Sequence, residues 1–269
     1  HVPSNTVWSA NRVYGSIHQP VPIMKLFEVT ALSMSPELQQ YLKRLNISQS
    51  ATLSPSGKLM VNGSVAIPRI DTSISFPFES VSGDFGCAWA SITSLEGSPH
   101  VVGGSFRCWD TSITSLEGAP QFVGGDFNCN HTSITSLKGA PQSVGGTFDC
   151  TGTNLTSLEG APQSIGGGFF CAGTSLTSLE HVPQSVGGDF ICRNTYITSL
   201  KGIHKTHRKW KIGGALDLPQ TCADIVGLAL IEGISRVQIG NVSFNVGDHD
   251  PHAFQEQLLD AGFRMQARM

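Results

Sequence analysis

The chain repeats itself at an unbroken step of 21 residues, and no other feature restricts its fold as much. Residues 102–122 read VGGSFRCWDTSITSLEGAPQF, and equivalent units begin at Val81, Val123, Val144, Ile165 and Val186. A unit this short cannot bury an apolar face alone, so neighbouring units must stack into a solenoid with one continuous core. Six of the seven cysteines (Cys87, Cys108, Cys129, Cys150, Cys171, Cys192) are a single repeat position seen in each unit. The charged fraction is 14%, well under the roughly 25% of ordinary soluble domains. The cause is a unit whose turns are made of Gly, Ser and Thr. A net charge of −3 gives no global reason to expect nucleic acid or an anionic membrane as partner. No apolar run approaches the ~18 residues of a transmembrane helix.

Within each unit, Gly125-Asp126-Phe127-Asn128-Cys129 alternates as a short strand with one buried face. The unit resembles the leucine-rich-repeat template LxxLxLxxNxL. Phe127 and Cys129 take the inward strand positions, Ile134 and Leu137 the next apolar ones, and Thr132 the usual Asn. The reading predicts a leucine-rich-repeat solenoid with one short parallel strand per unit on its concave face. The Leu-Glu-Gly-Ala-Pro-Gln return is non-helical, because Gly and Pro exclude a regular helix. Phe85 to Phe190, Ile92 to Ile197 and Leu95 to Leu200 then form stacked ladders. Thr111, Thr132, Thr153, Thr174 and Thr195 should satisfy backbone groups in the turn after the strand. Ala90 cannot, so the first unit should be looser there.

The cysteine column reads as buried thiols acting as small hydrophobes. No disulfide framework, metal or cofactor is expected, since zinc needs CxxC-type clusters or His partners. Reduced thiols place the chain in a reducing compartment such as the cytoplasm, including that of a host cell into which it is delivered. The sequons at Asn46, Asn62, Asn154 and Asn241 are then chance.

The units occupy residues 81–200. The chain starts at His1 rather than at a methionine, so a trimmed N-terminus is expected, and residues 1–19 read as a flexible segment. Residues 20–80 read as an N-terminal cap. Ser35-Pro36-Glu37 starts a helix whose Leu38, Tyr41, Leu42 and Leu45 form one stripe ending near Asn46. A degenerate first coil follows, with Val65 and Ile67 in the Phe and Cys places. Residues 201–269 hold a basic insertion, further short strands (Leu228–Leu230, Val237–Ile239, Val242–Val246) and a closing helix from Asp250. Phe254, Leu258 and Leu259 form its inner face.

The TSLEGAPQxVGGxFxC unit, the helix SPELQQYLKRLNI and the tail FQEQLLDAGF resemble a leucine-rich-repeat family common in tailed-phage and bacterial genomes. That resemblance implies a fold but no activity. The chain is more distantly similar to secreted bacterial leucine-rich-repeat effectors, which place short repeats after a helical cap. Those carry LPxLP where this chain has LEGAP. Some append a ubiquitin-ligase domain with a CxD nucleophile, a spelling shared by Cys222-Ala223-Asp224, but the residues after Cys222 are too few for such a domain.

Outward strand positions carry recognition in such coils, since inward ones are set by packing. The first column reads Asp84, Ser105, Asp126, Thr147, Gly168 and Asp189. The second reads Gly86, Arg107, Asn128, Asp149, Phe170 and Ile191. The third reads Ala88, Trp109, Asn130, Thr151, Ala172 and Arg193, with Trp89, Asp110, His131 and Asn194 just beyond. Aromatic, Arg and Ile side chains here are of types found in interface cores. The reading is a non-enzymatic module that binds a protein partner through this face, an effector-like role in phage or bacteria. One alternative is an effector enzyme or ubiquitin-ligase-like protein using Cys222. The other is a carbohydrate-binding adhesin using Trp89, Trp109, Asn128 and Asp110. His204, Lys205, His207, Arg208, Lys209 and Lys211 form a basic patch around Trp210 that could meet phosphate or an acidic partner. The Gly-Gly pairs lack the Lys-Ser/Thr of a phosphate loop, and no small-molecule substrate is expected.

Overall fold

The computed structural model describes residues 34–200, 210–223, 228, 231–245, 258 and 260–262. They form a β-solenoid of stacked parallel coils with little helix. Each repeat contributes two short strands rather than the one expected. In the unit from Val123, Phe122–Val123 belongs to a first ten-stranded sheet and Phe127–Asn128 to a second. Val123 pairs in parallel register with Val102 and Val144, and Phe127 with Phe106 and Phe148. The two-residue strand before Gly124 is too short to show any alternation in sequence, so only the second strand was legible.

The corner between the sheets explains the glycine pairs. A Cβ on Gly124, Gly145, Gly166 or Gly187 would overlap the carbonyl oxygen of the first glycine in the preceding coil. A Cβ on the second glycine, Gly125 or Gly146, would overlap the Ser105 or Asp126 side chain of that coil. Neighbouring strands stand only ~4.8 Å apart, and at this corner backbone lies directly on backbone. Side chains are therefore excluded at Gly124, Gly145, Gly166 and Gly187 whatever their polarity.

Inside the coil the ladders form as expected. Phe85, Phe106, Phe127, Phe148, Phe169 and Phe190 are buried, and successive rings lie 5.0–5.5 Å apart and nearly parallel. Phe78 closes the stack edge-on at one end and Trp210 at the other. Trp210, expected within the basic insertion, is a fully buried strand residue. The Thr111, Thr132, Thr153, Thr174 and Thr195 hydroxyls each donate to the carbonyl of the cysteine three residues earlier, at 2.7–2.8 Å. At Ala90 the backbone N–H reaches the Cys87 carbonyl instead, at 3.1 Å. The cysteines are free and buried, as expected. Burial pushes the Cys87 thiol up to about 12 and drives the rest of the column higher still.

The helix Pro36–Arg44 buries Leu38, Tyr41 and Leu42. Tyr41 meets Phe76 with ring centroids 5.1 Å apart, and Arg44 bonds the buried Asp71 at 2.6 Å. Asn46 (φ 57°) turns the chain out of the helix in a left-handed conformation that Asn tolerates. Val65 pairs with Phe85 and is buried with Ile67, so residues 59–80 do make the degenerate coil. After the repeats, Ile212-Gly213-Gly214 restores the corner, and Leu216 and Asp217 pair with Phe190 and Ile191. Leu228 lies in a 3₁₀ turn rather than a strand, and the strand follows at Ile231–Glu232. Arg236–Ile239 and Val242–Asn245 end the second sheet as an antiparallel pair. Leu258 is buried. Residues 1–33, and most of the expected closing helix with Phe254 and Leu259, lie outside the described residues.

Candidate functional site

The outward columns of the second sheet divide into structural and available positions. The first column is a hydrogen-bonded rail, a correction to its reading as a recognition surface. Asp84 Oδ1 accepts the Ser105 N–H at 2.8 Å, Ser105 Oγ the Asp126 N–H at 3.1 Å, and Asp126 Oδ1 the Thr147 N–H at 2.8 Å. Thr147 Oγ1 accepts the Gly168 N–H at 3.3 Å and Asp189 Oδ1 the Ala215 N–H at 2.7 Å. Each short polar side chain thus satisfies a backbone donor one coil on, which is why only Asp, Ser and Thr fill the column where it has a side chain.

Apart from the buried Ala172, the second and third columns are half-buried to exposed, and their polar members hold one another. Arg107 Nη1 donates to Asp84 Oδ2 at 2.7 Å, and the guanidinium and the Ser105 N–H hold the Asp84 carboxyl below its usual range. Asn130 Nδ2 donates to Asp149 Oδ2 at 3.1 Å, the Asn130 N–H to Asn128 Oδ1, and the Thr151 N–H to Asp149 Oδ1. Arg193 lies 3.6 Å from Asp217, whose pKa burial raises. Phe170 lies over Gly168, where a Cβ would touch its ring. Ile191 stands beside it on the next strand.

Trp89, Asp110, His131 and Asn194 share one backbone state, with φ of 58°, 52°, 53° and 58°. Gly152 and Gly173 take the same place in the intervening coils, with φ of 67° and 65°. This is the turn that leaves the second sheet. Asp, Asn and Gly visit the left-handed region readily, but a bulky indole there is strained by about 1–3 kcal/mol. The surroundings hold Trp89 in place. Its ring centroid is 3.8 Å from that of Trp109, the Arg69 guanidinium sits 4.2 Å from it on the other coil, and 46% of the residue remains exposed. Ile70, next to Arg69, is 82% exposed. Sequence reasoning missed Arg69 and Ile70. Extending the Trp89 column one step back into the degenerate coil, where Ile67 replaces Cys87, would have found Arg69.

The first sheet has its own outer row, also missed. Met60, Ser80, Val101, Phe122, Ser143, Ser164, Ser185, Lys211 and Glu232 are adjacent in the ladder. Val101 and Phe122 are exposed, and a shallow depression of about 490 Å³ opens between Thr52, Met60, Ser80 and Val101. Lys211 therefore belongs to the first sheet, apart from the Trp pair. His204, Lys205, His207, Arg208 and Lys209 lie outside the described residues. Cys222 is fully buried, so its sulfur has no access to a substrate here. Among the described residues no group of three or more His, Cys, Asp or Glu could hold a metal ion, and no helix is long and apolar enough to cross a membrane. No protein-family model, no curated protein and no solved structure matches the chain.

Proposed function

We propose that the chain is a non-enzymatic docking module of leucine-rich-repeat type, capped by helices, that binds a protein partner through the outer face of its second sheet. One observation carries this reading. A strained, half-exposed Trp89 is clamped between Trp109 and Arg69 at the edge of that face. Strain of this kind persists where the surroundings over-determine it, and it clusters at functional sites. Rigid aromatic and guanidinium groups are also the side chains that dominate binding energy at protein interfaces. Arg107, Asn128, Asn130, Asp149, Phe170, Ile191 and Arg193 extend the contact along the coils, with Asp110 and His131 on its rim. A buried thiol column fits a reducing compartment, the cytoplasm of the producing or a recipient cell.

The test is affinity capture from lysates with wild type against Trp109→Ala/Phe170→Ala, after both have been shown to melt alike. A partner retained by wild type and lost by the variant supports the reading. Equal recovery of every partner by both proteins overturns it.

A further inference from the structure

We infer that the docking face receives an acidic side chain of its partner at its N-terminal end, a carboxylate flanked by large apolar residues, an inference that rests on the docking reading above. Three successive turns build that end. The Asp71 N–H donates to the Pro68 carbonyl, the Ala90 N–H to the Cys87 carbonyl, and the Thr111 hydroxyl to the Cys108 carbonyl. The tips of these turns are therefore Arg69 and Ile70, Ala88 and Trp89, and Trp109 and Asp110. Ile70 and Trp89 are large apolar side chains left exposed there.

Arg69 lacks the anion that other arginines of the chain hold. Arg44 bonds Asp71 at 2.6 Å, Arg107 bonds Asp84 at 2.7 Å, and Arg193 lies 3.6 Å from Asp217. Arg69 is exposed, and among the described residues its guanidinium meets no carboxylate and donates no hydrogen bond. It is nonetheless held in place, over the Trp89 ring and 4.2 Å from its centroid. A guanidinium over a ring presents its N–H donors in its own plane, a fork that matches a carboxylate. The ring contact also restricts the side chain before a ligand arrives, which lowers the ordering cost of binding. Ile70 and the Trp89–Trp109 pair supply apolar surface for the neighbours of the acid. A polyphosphate fits less well. The net charge is −3, Asp110 stands exposed on the third turn, and one guanidinium is no footprint for a nucleic-acid backbone.

The probe is the peptide Ser-Gly-Leu-Glu-Leu-Gly-Ser, with Gln or Lys in place of Glu as controls. It is titrated against the full chain while the indole N–H signals of Trp89 and Trp109, assigned with Trp89→Gly and Trp109→Ala, are followed by NMR. The Glu peptide should shift both signals, and its binding should weaken as salt rises. The Gln and Lys peptides should bind about tenfold more weakly or worse. Arg69→Gln should weaken binding of the Glu peptide to the same extent with an unchanged melting curve, since the side chain is exposed. Equal responses to the Glu and Gln peptides, no response to any of them, or a full response in Arg69→Gln overturns the inference. A thymidine oligonucleotide of equal length that binds as tightly as the Glu peptide overturns it too. If Trp109→Ala/Phe170→Ala loses the captured partner while Arg69→Gln keeps it in full, the docking reading stands and the acidic side chain falls.

Discussion

Gly145→Ala tests the packing logic of the whole stack. The new methyl would run into the Gly124 carbonyl oxygen, backbone that cannot swing aside. Relief requires the two coils to part at the corner. That weakens the hydrogen bonds from Gly145 N–H to Val123 O and from Gly146 N–H to Gly125 O, both 2.9 Å. Two backbone bonds are worth ~1 kcal/mol each, and overpacking adds ~1–3 kcal/mol. The stiffer unfolded chain returns ~0.4–1 kcal/mol, so the net loss is about 3 kcal/mol. Gly86→Ala is the internal control. Its Cβ would lie 4.0 Å from the nearest heavy atom, the Val65 carbonyl oxygen. That substitution should be neutral or stabilise by up to ~1 kcal/mol. Ser82 shows the limit of the rule, for it carries a side chain at the first-glycine position, in the coil that follows a register shift between Leu59 and Met60. Urea unfolding followed by far-ultraviolet circular dichroism, with amide exchange at the corner to localise the opening, measures the difference. A Gly145→Ala protein within about 1 kcal/mol of Gly86→Ala would refute the close-approach argument.

Thr132→Val leaves the buried Cys129 carbonyl without its 2.7 Å donor and should cost ~1–3 kcal/mol. Thr132→Ser should recover most of it in the same denaturation assay, and equal losses for both would count against the hydrogen bond. The seven cysteines should stay silent toward a thiol-disulfide reagent at pH 8 and react together on unfolding, because all are buried and burial disfavours the thiolates of the six in the column. Rapid reaction of several thiols in native buffer would sink that expectation. Asp84 and Asp217 should act oppositely on stability against pH. The Arg107 bond lowers the Asp84 pKa, so its contribution is present above the unfolded value and fades as pH falls through the folded one. Burial raises the Asp217 pKa, so stability falls as pH rises from the unfolded value through the folded one. Melting temperatures from pH 3 to 8 should show Asp84→Asn below wild type near neutrality and Asp217→Asn above it. Both should converge on wild type in acid, and parallel curves would contradict the assignment.

The period alone placed the Phe, Cys, Ile and Leu columns, but not the buried column of Val81, Val102, Val123, Val144, Ile165 and Val186 in the first sheet. Phe127, Cys129, Ile134 and Leu137 are inward because a 21-residue step lets each stack on its own copy, and Thr132 needed only a turn to explain it. The same step told nothing of how a unit bends. The second strand per coil, the left-handed turn at Trp89 and Asp110, and the glycine corner all depend on which backbone groups of adjacent coils face each other.

The candidate site divides the same way. Trp109, Arg107 and Asp149 could be named as outward because strand alternation is a local property. That Asp126 and Asp189 are bonded to the next coil, that Arg69 from before the repeats lies on Trp89, and that Trp210 belongs to the core were decided only by tertiary structure. Inter-coil hydrogen bonds and ring contacts follow from three-dimensional register, a relation between residues some 20 or more apart that residue type and local spacing do not encode.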